Sequence, residues 1–327
     1  MGPFDIVVTG GAGFIGSHLV ERLAQRGRVL VLDDLSTGSE QNLSAALASG
    51  NAEIEVGDVC DVPWLERALS RASRGATLFH LATRNLRRGL ADPEETRRVN
   101  AAGTRHLARA WSGRSGRFVH VSTSEVFGSS DAALDETSAP RPLTVYGESK
   151  LEGEQAVAAA RDAGEIDAVI VRPFNAYGAR AHVEHDKGEL IPRFLVRASR
   201  GEPLPVFGDG SQTRTFTFVS DTVEGIVRAS EHATTNRGVW LIAGDEELSV
   251  REVAEQVGEV VGRAVTLQHL EPRPGDLRRQ CADASLTHRT LQWEPRVRFR
   301  EGLARTWDAL RAQAEGARVL DVNWRPA

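Results

Sequence analysis

The sequence predicts an α/β protein: a doubly wound parallel sheet with a smaller C-terminal lobe. Three observations carry this expectation. Short apolar runs alternate with helical patterns from Asp5 to Val121, which implies a parallel sheet covered on both faces. A glycine cluster, Gly10-Gly11-Ala12-Gly13-Phe14-Ile15-Gly16, follows the first run directly. From about Val183 the alternation gives way to short elements joined by Gly/Pro turns. The core is therefore assigned to residues 1–182, with 215–245 returning to it, and the lobe mainly to 183–327.

The elements follow in order. Asp5–Thr9 reads as a buried strand, the glycines as a turn, and Ser17–Gln25 as a helix. Val29–Leu32 is the second strand and ends at Asp33-Asp34. Strand, glycine turn, helix, strand and acid is the order that a Rossmann-type dinucleotide site requires. Glycines let backbone N–H groups approach a pyrophosphate at a helix N-terminus. Asp33 is placed to accept both adenosine ribose hydroxyls and to repel a 2′-phosphate, which favours NAD over NADP. Ala52–Val56 is the third strand, followed by Asp58, which reads either as an adenine partner or as a cap for a helix over Trp64–Leu69. Thr77–Leu81 and Arg117–Val121 are further strands, separated by a long helix over Pro93–Trp111 that carries Asn100.

In the second half, helices are expected over Glu189–Ser199, Ser220–Ala233, Val250–Val261 and Arg300–Ala314. Strands are expected over Thr215–Val219 and Thr266–Leu270. His182, His185 and Asp186 have no strong metal-ligand spacing, so no metal is expected and the stretch around Lys187 reads as a substrate loop.

Composition narrows the function. The 327 residues carry a net charge of -5, so no global basic field is available for nucleic acid. Two cysteines make no disulfide framework. No apolar run approaches the roughly 20 residues of a membrane span. The N-terminus lacks a basic region of the signal-peptide kind, so a cytoplasmic location is the expectation.

Val145-Tyr146-Gly147-Glu148-Ser149-Lys150 is the stretch richest in chemistry. Residues four apart share one helix face, so phenol and ammonium project into one pocket. A nearby cation favours the phenolate, and such a tyrosine can take a proton from a hydroxyl. The chain has 40 cationic side chains, but lysine occurs only at 150 and 187. Arginine does not replace a compact ammonium beside a phenol.

Together these residues resemble the extended short-chain dehydrogenase/reductases that act on nucleotide sugars. The resemblance rests on Thr9–Gly16, Asp33, Asp58, His80-Leu81-Ala82, Asn100, Ser122–Gly128 and the Tyr146/Lys150 pair. Arg172–Gly178, Ile191–Phe194, Phe207–Gly210, Thr213-Arg214 and Arg273–Asp276 extend it almost to Leu310. It implies Tyr146 as catalytic base, Lys150 on the nicotinamide ribose, and Thr123 on the sugar hydroxyl that is oxidised, with Ser124 and Glu125 in the same catalytic triplet. Gly10, Gly13, Phe14, Ile15, Gly16, Asp33, Asp58, Val59, Leu81, Ala82 and Asn100 would hold NAD. Asn175, Arg193, Arg214, Arg273 and Asp276 would hold the nucleotide sugar. The helices around Pro93–Trp111 and Gly147–Ala163 resemble those that pair in family homodimers. The basic loop Arg84–Arg88 is expected on the sugar side. Phe127 and Phe218 replace common tyrosines, and Glu315–Ala327 has no counterpart; its Val319, Leu320, Val322 and Trp324 suit docking on the body or on a partner.

The resemblance implies oxidation at the sugar C4, which acidifies the C5 hydrogen. A 4-epimerase needs no second base, whereas a 4,6-dehydratase must also take the C5 proton and protonate the departing C6 hydroxyl. Glu125 is such an extra group, so dehydration ranks first and 4-epimerisation second. Uronate decarboxylation ranks third, because its usual tyrosine context does not match Val145-Tyr146-Gly147-Glu148. A dinucleotide-binding sensor is the non-enzyme alternative, disfavoured because Tyr146, Lys150 and Thr123 are all present.

Overall fold

A computed structural model describes residues 2–183, 188–232, 238–272 and 277–316. A seven-stranded parallel sheet lies at its centre. We name β1 Phe4–Thr9, β2 Val29–Asp33, β3 Ala52–Val56, β4 Ala72–His80, β5 Phe118–Val121 and β6 Ala168–Pro173. From one edge the order is Val239–Ile242, β6, β5, β4, β1, β2, β3. The winding reverses between β1 and β4, and that crevice at the strand C-termini is where such sheets take ligands.

The sheet is buried on both faces, which explains its near-continuous apolar strands. Val8 and Val31 pack on one side with Leu19, Val20 and Ile226. Val7, Leu30 and Leu32 pack on the other with Leu65, Leu107 and Trp111. A separate apolar cluster unites the Leu190–Ser199, Val250–Val261 and Phe299–Gly316 helices through Phe194, Val253 and Leu303. The edge strand Val239–Ile242 runs along β6, with Trp240 opposite Val171, so the chain re-enters the main sheet after part of that lobe is made.

Three expectations are corrected. The helix expected over Pro93–Trp111 is interrupted: Pro93–Arg97 and Thr104–Trp111 flank a wide π turn over Arg98–Gly103. Such turns re-aim side chains at functional positions, and this one turns Asn100 inward. β4 begins at Ala72, because the polar Ser73-Arg74-Gly75 stretch is extended. The strand expected over Thr215–Val219 splits into Thr213–Thr215 and Thr217–Phe218, with a helix beginning at Val219.

Candidate active site

The dinucleotide cleft is shaped by missing side chains. Gly10 has φ +69°, and a Cβ there would lie 2.6 Å from Ala82 N. A Cβ on Gly16 would lie 2.1 Å from Gly10 O. The turn therefore tolerates only glycine at both positions. Gly13 begins the Phe14–Leu23 helix with no side-chain cap, so the first helical N–H groups remain for an anion. The residues present thus fit a dinucleotide.

Gly13, Phe14, Ile15, Asp33, Val59 and Leu81 are among the residues that line this cleft, as do Gly10, Gly16 and Ala82 at the turn. Asp33 accepts from Ala12 N and Leu35 N, both at 2.9 Å. It holds the glycine turn as well as lining the cleft. Burial raises its carboxyl, against those two N–H donors. Asp58 also lines the cleft. The helix-cap alternative for it fails, because Asp61 caps the Val62–Ser70 helix. Although partly desolvated, Asp58 is held low by Cys60 N–H and Arg98.

Arg84 corrects a further expectation. It faces the cofactor cleft, where its guanidinium bonds Ser36 Oγ at 2.7 Å, Asp34 Oδ2 at 2.7 Å and Glu95 Oε1 at 3.0 Å. Arg98 continues the chain from Glu95 to Asp58. Of the basic loop, Arg87 lines a neighbouring cavity instead. Asn100 is also placed differently from its expected cofactor contact. Its Oδ1 accepts from Arg84 N at 2.7 Å and Thr83 Oγ1 at 3.0 Å, and its Nδ2 donates to Arg84 O and Ser149 Oγ. Fully engaged and fully buried, it stands behind the cleft and ties the loop after β4 to the Val145–Asp162 helix.

At the inner end of the cleft lie Tyr146 and Lys150. Thr144 caps their helix by accepting from Gly147 N at 3.1 Å. A Cβ on Gly147 would lie 2.7 Å from Glu125 O, so glycine lets this helix press against the Ser124–Phe127 turn. Tyr146 is thereby brought beside Thr123. Lys150 is 1% exposed and donates to Val121 O at 2.8 Å. Burial lowers its ammonium to about 8, while Glu154 pulls the other way. The expected tuning of the phenol by Lys150 is not the dominant effect here. Burial pushes Tyr146 up; the Thr123 and Thr83 hydroxyls favour the phenolate, and the Glu125 and Glu189 carboxylates oppose it.

A second cavity opens next to this one. Arg87, Glu125, Asn175, Arg193 and Arg214 share its wall. Asn175 has φ +31° and donates to Thr215 O at 2.9 Å. Arg193 is 6% exposed on the Leu190–Ser199 helix, and Arg214 donates to Thr213 O at 2.8 Å. Ser124 does not join them: its hydroxyl donates to Gln280 Oε1 at 3.1 Å and is buried. Arg273, Asp276, Lys187, His185 and Asp186 lie outside the described residues, as does the segment after Gly316. Among the described residues no group of three metal-ligating side chains occurs, and no helix is long and apolar enough to cross a membrane.

Sequence reasoning missed Glu189. It lines the cleft with Tyr146 and Lys150, and burial pushes its carboxyl up to about 7 against the pull of Arg87 and Arg193. Its one signal was an acid immediately before the apolar run Leu190-Ile191-Pro192, which reads as an ordinary helix start.

Comparisons with known proteins agree with this geometry. UDP-glucose 4-epimerase of Mycolicibacterium smegmatis is 33% identical over 94% of this chain and 99% of its own. UDP-glucuronic acid decarboxylase 6 of Arabidopsis thaliana is 33% identical over 91% of this chain and 86% of its own. The dTDP-glucose 4,6-dehydratase of Streptomyces venezuelae, solved as a double mutant with NAD bound, superposes with a TM-score of 0.88 at 30% identity, over 95% of this chain and 98% of that one. Three reaction outcomes are thus similar to this chain to nearly the same degree. Residues 6–243 match the family described as NAD dependent epimerase/dehydratase, across the glycine turn, the Tyr146/Lys150 helix and the return to the sheet, and the chain belongs to that family.

Proposed function

We propose that the chain is a nucleotide-sugar 4,6-dehydratase that oxidises C4 of a nucleotide-linked hexose and then eliminates water across C5 and C6. The observation that carries this reading is Glu125: it lines the sugar-side cavity and acts electrostatically on Tyr146. NAD, the family's cofactor, would supply the hydride acceptor for C4 and the hydride that C6 receives after elimination. Gly10, Gly13, Phe14, Ile15, Gly16, Asp33, Asp58, Val59, Leu81 and Ala82 hold it in this reading, and Asn100 positions the loop beside it. Thr123 orients the C4 hydroxyl, Tyr146 takes its proton, and Lys150 bonds the nicotinamide ribose. The ketone acidifies C5–H, and Glu125 takes that proton. In this reading Asn175 holds the substrate diphosphate region, Arg214 and Arg273 meet phosphate or ribose, and Arg193 and Asp276 belong to the same substrate-binding set.

A second reading, 4-epimerisation, is favoured by Ser124, whose hydroxyl is spent on Gln280 and leaves the triplet with one working carboxylate. Decarboxylation stays third. We further assign the cofactor domain to 1–182 with 215–245, the substrate lobe to 183–327, a homodimer through the Tyr146 helix and its neighbour, and a cytoplasmic location. A monomeric mass by light scattering would remove the dimer.

The test of the reaction is Glu125→Gln with UDP-, dTDP-, GDP- and CDP-hexoses. Wild type should yield a product 18 mass units lighter and exchange its C5 hydrogen in D₂O. The variant should still reduce the cofactor but lose exchange and turnover by about 10²–10⁴; Tyr146→Phe should do neither. Unchanged mass with new ring couplings, and no C5 exchange in wild type, would replace dehydration by epimerisation.

A further inference from the structure

The reading above needs a second proton. Eliminating water breaks C5–H and C6–O. Glu125 takes the C5 proton, the electron pair becomes the C5=C6 bond, and the departing oxygen requires a proton of its own. Within the Thr123-Ser124-Glu125 triplet no group is left to give it. Thr123 is assigned to O4, Glu125 must be ionised to act as base, and Ser124 is locked to Gln280 behind the pocket, with Gln280 Nε2 donating back to Ser124 O at 3.0 Å.

We propose that Glu189 is the acid that protonates the departing C6 oxygen. Its place in the fold supports this. It begins the Leu190–Ser199 helix, and that helix end has no side-chain cap bond, so the carboxyl is not spent on the backbone there. It lines the cofactor cleft with Tyr146 and Lys150. The two charges that act on it most, Arg87 and Arg193, both belong to the adjacent sugar-side cavity. Glu189 therefore stands on the wall between the two cavities, where nicotinamide and sugar meet. Tyr146 feels both carboxylates. They come from different segments, Glu125 from the turn after β5 and Glu189 from the head of a lobe helix.

The two carboxyls also differ in environment. Burial raises Glu189 to about 7, so a proton is available on it near neutrality, the condition for a general acid. Two carboxyls whose surroundings separate their proton affinities divide acid from base. After elimination Glu125 holds the C5 proton and Glu189 is ionised; C6 receives the hydride taken from C4 as Glu125 returns its proton to C5, and solvent reprotonates Glu189.

This inference rests on the dehydratase reading, and the test separates the two. Glu189→Gln keeps the shape and removes the transferable proton. With the nucleotide hexose that wild type dehydrates, the variant should keep C5 exchange in D₂O, which also shows that the site is folded. It should lose water about 10²–10⁴ more slowly, and the alkaline limb of the wild-type rate profile should disappear. A substrate carrying chloride at C6 needs no proton on its leaving group, so both proteins should eliminate chloride at similar rates. Water loss at the wild-type rate in Glu189→Gln overturns the proposal. So does loss of exchange and of chloride elimination together, which marks a structural role. If wild type releases water from no nucleotide hexose, the dehydratase reading fails first and takes this assignment with it.

Discussion

The two ends of the cofactor cleft are built on opposite principles. Across the ends of β2, β4 and β3, Asp34, Arg84, Glu95, Arg98 and Asp58 form a continuous ionic chain. Burial works against each acid of that chain but hydrogen bonds win, and Asp34, Glu95 and Asp58 are all held low, whereas neighbouring Asp33, whose donors are the Ala12 and Leu35 N–H groups, is raised by burial. At the inner end, Tyr146 and Glu189 are raised and Lys150 is lowered, with burial the largest cause in each case. Carboxyls in one cleft thus fall below their ordinary range where ion pairs and hydrogen bonds prevail and rise where desolvation does. The paired end is suited to holding a ligand, and the shifted end to moving protons.

The strongest way to break this comparison lies at the border of the catalytic end. Arg172 and Glu154 form a two-bond pair at 2.9 and 2.6 Å, both buried, with the guanidinium 4.5 Å from the Phe127 ring. Glu154→Leu strands a buried cation, and a loss of about 3–5 kcal/mol in denaturant unfolding is expected. Since Glu154 is what raises Lys150, the lysine should also titrate lower. A loss below about 1 kcal/mol would show that pairing matters less here than burial. At the adenosine end, Arg84→Met cuts the ionic chain in the middle. Calorimetry should find NAD binding weaker by about 1 kcal/mol, with the difference shrinking at high salt because part of the chain is exposed. A salt-independent loss would point to packing instead.

The smallest effect concerns pH. Glu189 holds its proton to about 7 in the fold, against 4.5 as its ordinary value. The native state therefore binds more protons than the unfolded chain in that window, and stability falls as pH rises through it. Lys150 acts in a different window with the opposite sign. It titrates at about 8 rather than 10.5, so stability rises with pH between those values. Glu189→Gln should flatten only the lower slope in denaturant midpoints taken from pH 4 to 10, and an unchanged slope would reassign that window to another group.

Much of the cofactor half was legible because backbone geometry wrote it into residue type. Gly10 and Gly16 have no alternative, and Asp33 ends a strand by a fixed rule. The interruption at Arg98–Gly103 was not legible, because a helix-compatible run gives no sign that Asn100 will be claimed by a loop 16 residues earlier. The strands Ala168–Pro173 and Val239–Ile242, neighbours on one side of the sheet, were not legible as strands because periodicity does not reveal a distant partner. On the sugar side, Arg87, Asn175, Arg193 and Arg214 come from separate segments, and only the resemblance singled out three of them. Glu189 was hidden for a physical reason: the shift arises from what surrounds the carboxyl, which no local pattern records.

The strand order has a consequence for synthesis. β6 ends at Pro173, while its outer partner begins at Val239, 66 residues later (239 minus 173). At a ribosomal pace of about 5–20 residues per second, that gap is roughly 3–13 s. Throughout it the nascent chain presents Val169, Ile170 and Val171 along an unpaired hydrogen-bonding edge, the kind of surface that recruits other strands. Only release of the Trp240 strand closes it. The half that holds the cofactor therefore matures after much of the other half has been translated, and in that interval the nascent chain is a natural client for chaperones.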